Sequence, residues 1–228
     1  MNILGIEKVS FVDFEGKICA TIFTGGCNFR CPFCHNSSVV NMSAYKYQEE
    51  EILSYLKERK SLLDAVTISG GEPTLQPDLI DFCMKIKKMN YSIKLDTNGT
   101  SPSVIENLAK NKLIDYVAID IKNSFNQYPA ICGVQNPGID NIKKTLDIFK
   151  EYKIPYELRT TLVEGFHTEE TIRQMADQLQ GEKLLYLQKF VDSGDCLKNN
   201  LAPIKKEKAL LFQTILSNTI KNVYLRGY

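Results

Sequence analysis

Short apolar segments rich in β-branched residues alternate along the chain with longer segments that mix apolar and charged residues at helical spacing. In residues 47–60, Ile52, Leu53 and Leu56 recur among charged residues, as on one face of an amphipathic helix. The pattern predicts six strands, at 17–25, 63–73, 91–99, 114–122, 155–163 and 183–191. It also predicts six helices, at 47–60, 77–89, 101–111, 140–152, 168–179 and 204–216.

The regular alternation of strand and helix indicates the fold class. Strands joined by helical crossovers pair in parallel, because each helix returns the chain to the same end of the sheet. We therefore expect an α/β fold, as one domain over residues 1–228, since a chain of this length can bury a sizeable core. Periodicity alone does not choose between a partly closed barrel and an open, doubly wound sheet.

Glycine and polar residues collect where the predicted strands end, at 25–27, 69–72, 96–99, 120–122 and 159–160. In both α/β architectures, active sites lie at the carboxyl ends of the strands. We therefore expect the chemistry of this chain to be gathered on one edge of the sheet.

Composition narrows the class of protein. Lys+Arg 28 against Asp+Glu 27 gives a net charge of +1, so no charge bias points to nucleic acid or a membrane as partner. The first 17 residues lack the apolar core of a signal peptide, and no stretch approaches the roughly 18 apolar residues of a membrane helix. An odd number of cysteines, seven, favours a reducing compartment, so we expect a cytoplasmic protein.

Three of the seven cysteines, Cys27, Cys31 and Cys34, lie within eight positions in a C-x3-C-x2-C spacing. A structural zinc site normally needs four ligands, and His35, directly after Cys34, is badly placed to complete a tetrahedron. Free structural thiols are a weaker alternative, because this loop is polar and rich in glycine. An iron–sulfur cluster with three cysteine ligands fits better, since it leaves one iron open for catalysis.

The string GCNFRCPFCHN resembles the signature of the radical S-adenosylmethionine (SAM) enzymes, and of the glycyl-radical-enzyme activases in particular. SGGEPTLQP, LDTNG, DIK and YPAICGVQNP extend the resemblance through most of the chain. Among these families it looks most like the activating proteins of anaerobic ribonucleoside-triphosphate reductase. The resemblance implies an incomplete parallel (β/α)6 barrel of the radical SAM type, with a [4Fe-4S] cluster and SAM at the carboxyl ends of the strands.

The resemblance also implies a reaction. In this family the amino and carboxylate groups of SAM chelate the open iron, and one electron from the cluster cleaves the sulfonium. The resulting 5′-deoxyadenosyl radical takes a hydrogen atom from a glycine of a partner enzyme. The implied partners are thus a large glycyl radical enzyme, here anaerobic ribonucleotide reductase, and an unidentified one-electron donor. The implied cluster ligands are Cys27, Cys31 and Cys34.

The segment SGGE suits SAM binding. Gly70 and Gly71 can expose backbone groups to a ligand at a strand end, and Glu72 can accept hydrogen bonds from an ammonium group. The alternative is a plain turn between strand and helix, with Pro73 opening the next segment.

Further site residues follow from the resemblance. Asp96, Thr97 and Asp120 match residues that hold a monovalent cation beside SAM, and oxygen ligands suit such an ion, although Asp96 could serve only as a turn residue. Lys122 and Arg159 would neutralise the SAM carboxylate, or could be solvated surface charges.

Asn28 and Phe33 lie inside the cysteine loop, where the family makes backbone contacts to adenine. Some activases carry a histidine near the end of the last strand, whereas this chain has Gln188, which could bond the ribose or adenine instead. His167 precedes a helix and is expected at the surface. The remaining cysteines lack ligand spacing, so no second cluster is expected and Cys83 is interpreted as a buried core residue; they are Cys19, Cys83, Cys132 and Cys196.

Three functions are compatible with these sequence features. The first is an activase acting on a protein glycine, for anaerobic ribonucleotide reductase or for a pyruvate formate-lyase type of enzyme. The second is a radical enzyme acting on a small metabolite, such as a carboxy-deazaguanine synthase. The third is a zinc-stabilised interaction module without catalysis. We expect no added C-terminal domain over the mouth of the barrel, which favours a large substrate and therefore the first function.

Overall fold

The computed structural model describes residues 1–34, 37–40, 46–192, 194 and 196–228. The strands are β1 (Ile3–Ser10), β2 (Cys19–Thr24), β3 (Ala65–Gly70), β4 (Ser92–Thr97), β5 (Tyr116–Asp120), β6 (Tyr156–Leu162), β7 (Leu184–Lys189) and β8 (Asn222–Arg226). The helices are α1 (Ser37–Val40), α2 (Glu49–Glu58), α3 (Leu79–Lys88), α4 (Pro102–Lys110), α5 (Tyr128–Cys132), α6 (Ile139–Glu151), α7 (Glu169–Gln178) and α8 (Lys206–Leu216). Short 3-10 turns span Pro73–Leu75 and Phe125–Gln127.

The hydrophobic pattern located the central elements well. All six predicted strands and all six predicted helices are present. Only α6 extends beyond its predicted range, because it begins one residue earlier, at Ile139. Two strands, β1 and β8, and two short helices, α1 and α5, were not predicted. In β1 the charged Glu7 and Lys8 are exposed, and this edge position hides the strand from a search for continuous apolar runs.

The strands follow chain order in one sheet, from β1 to β8. β1 pairs antiparallel with β2, whereas β2–β3, β3–β4, β6–β7 and β7–β8 are parallel pairs. In the part of the chain that the structure describes, β1 and β8 are the first and last strands of this order. The expected α/β fold with a partial barrel is confirmed, with the correction that two outer strands extend the predicted six.

The chain forms two compact units. The first comprises residues 1–28, 38–118 and 140–155, and the second comprises residues 29–37, 119–139 and 156–228. In the first unit, α3 shows how the core forms: its apolar side chains recur at helical spacing and are all fully buried, namely Leu79, Phe82, Cys83 and Ile86. In the second unit, β6, β7 and α8 contribute Leu158, Leu187 and Phe212, which are also fully buried.

Cys83 is therefore the buried core residue that the sequence predicted, and burial raises the pKa of its thiol to about 12. No helix among the described residues is both long enough and apolar enough to cross a membrane.

Candidate active site

In the first unit, the predicted SGGE segment lies against the start of the cysteine loop. β2 and β3 run in register until Thr24 faces Gly70. Beyond that point the Gly71 N–H donates to the Thr24 carbonyl at 2.8 Å, and the Glu72 N–H donates to the Gly26 carbonyl at 2.9 Å. A Cβ on Gly71 would lie 1.9 Å from the Gly26 oxygen. Glycine is thus required here because two backbones approach each other closely.

Gly70 is constrained by its own conformation as well as by its neighbours. Its φ of 110° lies in a region that side chains rarely adopt, and a Cβ there would lie 2.4 Å from the Thr24 nitrogen. The two glycines therefore serve the packing of β3 onto the β2 end, which is a role beyond the ligand contact that the sequence predicted.

Glu72 is fully buried and joins the end of β3 to the end of β4. Its Oε1 accepts hydrogen bonds from the Thr74 N–H at 3.1 Å, the Thr74 hydroxyl at 2.5 Å and the Thr97 hydroxyl at 2.7 Å. Its Oε2 accepts from the Asn98 N–H at 2.6 Å. Burial raises the pKa of Glu72, and these bonds oppose that effect. The predicted bond from Glu72 to a cofactor ammonium stays a prediction, since four protein donors already use the carboxylate.

Asp96 and Thr97, the residues predicted to hold a cation, lie at the end of β4. Asp96 Oδ2 accepts from the Ser69 hydroxyl at 3.0 Å, and its Oδ1 lies 3.8 Å from Lys94 Nζ. Thr97 Oγ1 accepts from the Gly99 N–H at 3.1 Å while it donates to Glu72. These contacts make Asp96 more than a turn residue, and the cation stays a prediction.

Asn28 is held by two residues to which the sequence analysis gave no role. Its Oδ1 accepts from Asn98 Nδ2 at 2.8 Å, and its Nδ2 donates to Thr100 Oγ1 at 3.0 Å. Asn98 Oδ1 in turn accepts from the Thr100 N–H and hydroxyl, at 3.0 and 2.7 Å. The turn signal in DTNG was the only trace of this network in the sequence. Cys27 Sγ lies 4.0 Å from Asn28 Oδ1, so the network reaches the first cysteine.

In the second unit, residues 30–34 form a tight turn, which we call the cysteine turn. The Cys34 N–H donates to the Cys31 carbonyl at 2.9 Å. The Cys31 side chain is buried and hydrogen-bonded to Cys132, whereas Cys34 is half-buried. The bond from Cys132 and the charge of Lys122 lower the pKa of Cys31 to about 7, although burial opposes them. Cys132, which lacks ligand spacing in the sequence, is thus a hydrogen-bond partner of Cys31 that the spacing alone did not predict.

Phe33 is buried within the same turn, and its ring meets that of Phe166 edge to face with centroids 5.8 Å apart. The adjacent Pro32 carbonyl accepts a hydrogen bond from the Lys198 N–H at 2.9 Å. The Phe33 side chain therefore anchors the turn, while its predicted backbone contact to adenine stays a prediction.

Asp120, Lys122 and Arg159 form one ion-pair network: Asp120 is the last residue of β5, Lys122 follows it, and Arg159 lies in the middle of β6 rather than at the strand end that the sequence predicted. Asp120 Oδ2 lies 2.9 Å from Lys122 Nζ, and its Oδ1 lies 3.0 Å from Arg159 Nε. Burial alone would raise the pKa of Asp120, but the two cations outweigh it and lower that pKa. Lys122 and Arg159 are largely buried rather than solvated surface charges. The network holds two positive charges against one negative charge, which suits the predicted contact with a carboxylate.

His167 is fully buried, so its predicted surface position is wrong. Its Nδ1 accepts a hydrogen bond from the Val163 N–H at 3.1 Å. The ring proton therefore lies on Nε2, and this N–H donates to the Lys122 carbonyl at 2.9 Å. Burial lowers the pKa of this imidazole. Gln188, the residue with a predicted role at the cofactor, lies half-buried on β7 opposite Thr161 of β6 and Arg226 of β8.

A sequence model described as the radical SAM superfamily matches residues 21–179. The chain belongs to the radical SAM superfamily. It is 37% identical over 228 residues to a putative glycyl-radical enzyme activating enzyme of Methanocaldococcus jannaschii, which covers 97% of this chain and 94% of that protein. It is 33% identical over 184 residues to the pyruvate formate-lyase-activating enzyme of Clostridium pasteurianum, covering 77% of this chain and 75% of that protein.

Solved structures agree on the radical SAM fold. SuiB of Streptococcus suis bound to S-adenosylmethionine superposes with a TM-score of 0.68 at 17% identity, over 89% of this chain and 48% of that chain. This radical SAM chain thus spans about half the length of SuiB. A radical SAM methyltransferase of Sphaerobacter thermophilus gives a TM-score of 0.68 at 18% identity, over 96% of this chain and 69% of that chain. At such identities the likeness concerns the fold alone.

Membership of the radical SAM superfamily confirms the predicted enzyme class, and it implies a [4Fe-4S] cluster and SAM as cofactors. Among the described residues, no three Cys, His, Asp or Glu side chains are gathered into a group that could hold a metal ion. His35, the alternative zinc ligand, lies outside the described residues. The donor set still suits a cluster by its chemistry, because cysteine thiolates are the usual ligands of iron–sulfur clusters and the hydrogen bond between Cys34 and Cys31 already bends the cysteine turn.

Proposed function

We propose that this chain is an activase that generates a glycyl radical on anaerobic ribonucleotide reductase. The observation that carries the proposal is the 37% identity to a glycyl-radical enzyme activating enzyme over nearly the whole of both chains. The choice of reductase rests on the sequence motifs GCNFRCPFCHN, DTNG and DIK. We further propose a single catalytic domain and a cytoplasmic location, where thiols stay reduced.

The residues of the chain have separate tasks in this proposal. The thiolates of Cys27, Cys31 and Cys34 would hold the cluster, which with bound SAM supplies one-electron sulfonium cleavage and a carbon radical. Lys122 and Arg159 would face the SAM carboxylate with their excess of positive charge. Glu72 would act indirectly, because its carboxylate fixes the main chain at Asn98 and so positions the residues after β4.

The remaining predicted contacts belong to the same proposal. Gly70 and Gly71 would present backbone groups to SAM, while Asn28, Phe33 and Gln188 would surround its nucleoside. A monovalent cation at Asp96, Thr97 and Asp120 is proposed from the family resemblance. Asp120 is the weakest member of that set, because it already pairs with Lys122 and Arg159.

The test is to mix the reduced, cluster-loaded protein with SAM and the reductase in the absence of oxygen, and to record the electron paramagnetic resonance (EPR) spectrum. We expect a glycyl radical doublet on the reductase. The doublet should vanish when the reductase's C-terminal glycine is replaced by alanine, or when this chain carries Cys31→Ala. Cys83→Ala, which removes a buried thiol far from the motif in sequence, should leave the doublet unchanged. If 5′-deoxyadenosine forms only when a small metabolite is added, and no protein radical arises, the metabolite enzyme replaces the activase.

A second candidate partner is an enzyme of the pyruvate formate-lyase type. It is favoured by the 33% identity to the pyruvate formate-lyase-activating enzyme of Clostridium pasteurianum. The same EPR experiment with pyruvate formate-lyase in place of the reductase separates the two partners, since the doublet should form on only one of them.

A further inference from the structure

The end of helix α5 is fastened to the cysteine turn through its backbone. The Cys132 carbonyl accepts a hydrogen bond from the Arg30 N–H at 2.7 Å, which fixes the residue directly before Cys31. Gly133 then leaves the helix with φ 65°, and a Cβ on it would lie 2.5 Å from the Arg30 carbonyl oxygen. Position 133 therefore requires glycine for two reasons: its φ is positive, and the Arg30 carbonyl leaves no room for a side chain.

The beginning of the same helix is fastened to the main chain just after β5. The buried Tyr128 hydroxyl oxygen accepts a hydrogen bond from the Lys122 N–H at 3.0 Å. Helix α5 is only five residues long, so both attachments lie within about one and a half turns. The position of Cys132 is thus determined from both ends of its helix.

The thiol of Cys132 is fully buried, and the backbone bond between Arg30 and Cys132 places it beside Cys31, to whose side chain it is hydrogen-bonded. A buried cysteine is by default a small apolar core residue, as Cys83 is on α3. Cys132 differs because its side-chain partner is one of the three cysteines of the motif. A hydrogen-bond donor next to a thiolate stabilises the negative charge on sulfur.

Donors of this kind control the electron affinity of iron–sulfur clusters. Reduction adds one negative charge to a cluster, and hydrogen bonds to the ligating sulfurs therefore stabilise the reduced form more than the oxidised form. Loss of a donor should make the cluster harder to reduce, whereas its replacement by another donor should preserve the reduction potential.

We propose that Cys132 is a positioning residue for the cluster, whose S–H donates to the Cys31 sulfur, orients that ligand and raises the reduction potential. The proposal rests on the proposed function only in needing a cluster on Cys31. It assigns to a fourth cysteine, outside the C-x3-C-x2-C spacing, a role that is neither ligation nor simple packing.

The experiment compares wild type with Cys132→Ala, which removes the donor, and Cys132→Ser, which keeps one. Cys83→Ala is the matched control for the loss of a buried thiol. Each protein is reconstituted without oxygen, its iron is quantified, and its cluster is titrated reductively with EPR detection. At the potential that reduces half of the wild-type clusters, we expect the reduced-to-oxidised ratio to fall about threefold to tenfold in Cys132→Ala. Tenfold corresponds to 59 mV for one electron. Cys132→Ser and Cys83→Ala should stay within about twofold of wild type.

Two results would overturn the proposal: a wild-type potential in Cys132→Ala, or an equal shift in the serine and alanine variants, since packing alone would then explain it. Should Cys132→Ala fail to fold by circular dichroism, Cys132→Val replaces it as the variant without a donor. If wild type itself takes up no iron, the proposed function fails. If wild type loads normally and no variant shifts, only the role of Cys132 fails.

Discussion

At the scale of single residues, the buried polar groups explain how the strand ends are held. Glu72 accepts four hydrogen bonds from three residues, and one carboxylate thereby ties β3 to the turn after β4. In the second unit, the His167 ring links the Val163 N–H, just after β6, to the carbonyl of Lys122, just after β5. Buried polar groups of this kind are costly unless fully bonded, so each fixes one local geometry.

The sequence predicted the residue types at these positions but not their partners. Glu72 follows a strand and two glycines, a pattern typical of a ligand site, and nothing in that spacing reveals that Thr97 and Asn98 reach it from the next strand. His167 was expected at the surface because a polar segment surrounds it. Cys132 lies about 100 residues from Cys31, and only the tertiary structure brings the two thiols together.

The first prediction concerns the three cysteines of the motif. Alanine at Cys27, Cys31 or Cys34 should abolish retention of the [4Fe-4S] cluster, because each thiolate is expected to ligate a separate iron. Iron and sulfide per chain, measured after anaerobic reconstitution, check this. Cys83→Ala should keep full iron content, since that thiol is buried on α3. Full iron retention in Cys31→Ala would refute the assignment.

The second prediction concerns pH. Burial lowers the pKa of His167 in the folded chain, so the unfolded chain takes up the proton more readily. The stabilisation due to neutral His167 is therefore complete above the unfolded pKa of about 6.5. It is lost as the pH falls through the lower, folded pKa. Urea unfolding of the cluster-free protein between about pH 8 and 5 should show this loss of stability.

The matched variant for this measurement is His167→Gln, which should flatten that pH dependence. The chain has only two histidines, so His35→Gln supplies the control and should leave the dependence in place. A wild-type slope in His167→Gln would contradict the assignment.

At the scale of secondary-structure elements, hydrophobic periodicity predicted the strands and helices that bury an apolar face in the core. The six central strands and six long helices bury apolar faces and therefore carry clear periods. β8 was missed because it has only five residues and a single buried one, Val223. Helix α5 was missed because five residues cannot show a helical period, although Pro129 near its start and Gly133 at its end are the residues expected at helix boundaries.

The third prediction concerns the contact between the SGGE segment and the cysteine loop. Gly71→Ala places a Cβ 1.9 Å from the Gly26 oxygen, so the backbones must separate and their hydrogen bonds must weaken. We expect a loss of about 1–3 kcal/mol in the free energy of unfolding. Reduced iron retention should accompany it, because Gly26 directly precedes Cys27. Gly5→Ala is the control: its Cβ would lie 3.4 Å from Phe23 and should change stability by under about 1 kcal/mol. Equal effects in both variants would contradict the close-approach argument.

At the scale of the whole molecule, sequence motifs and overall similarity carry different information. The family model covers residues 21–179, which include the cysteine motif, SGGE, DTNG and DIK. The similarity to the relative in Methanocaldococcus jannaschii continues over nearly the whole chain. The motifs thus define the shared chemistry, while the residues that choose a partner protein need not repeat any motif. For this reason the chemistry could be predicted from sequence more sharply than the partner.

The last prediction concerns how this chain meets its protein partner. Its charges nearly cancel, with 28 basic and 27 acidic residues, so the long-range field that steers charged partners together is weak. Exposed charges are in any case screened beyond about 10 Å at 0.1 M salt. Electrostatic steering typically accelerates association by 10 to about 1,000-fold. Here we expect the association rate constant to fall by less than about tenfold between low and high salt.

Stopped-flow or surface-based kinetics with the reductase in the absence of oxygen measure this association rate constant. The measurement is made at about 10 mM and about 1 M ionic strength, between which the screening length falls from about 30 to about 3 Å. The dissociation rate should also change little, because shape complementarity and apolar contact would then hold the complex. A fall of more than a hundredfold in the association rate would mean that a local charged surface, hidden by the balanced total, guides the two proteins together. Charge reversals on that surface, rather than substitutions around the cysteine turn, would then decide which partner this enzyme activates.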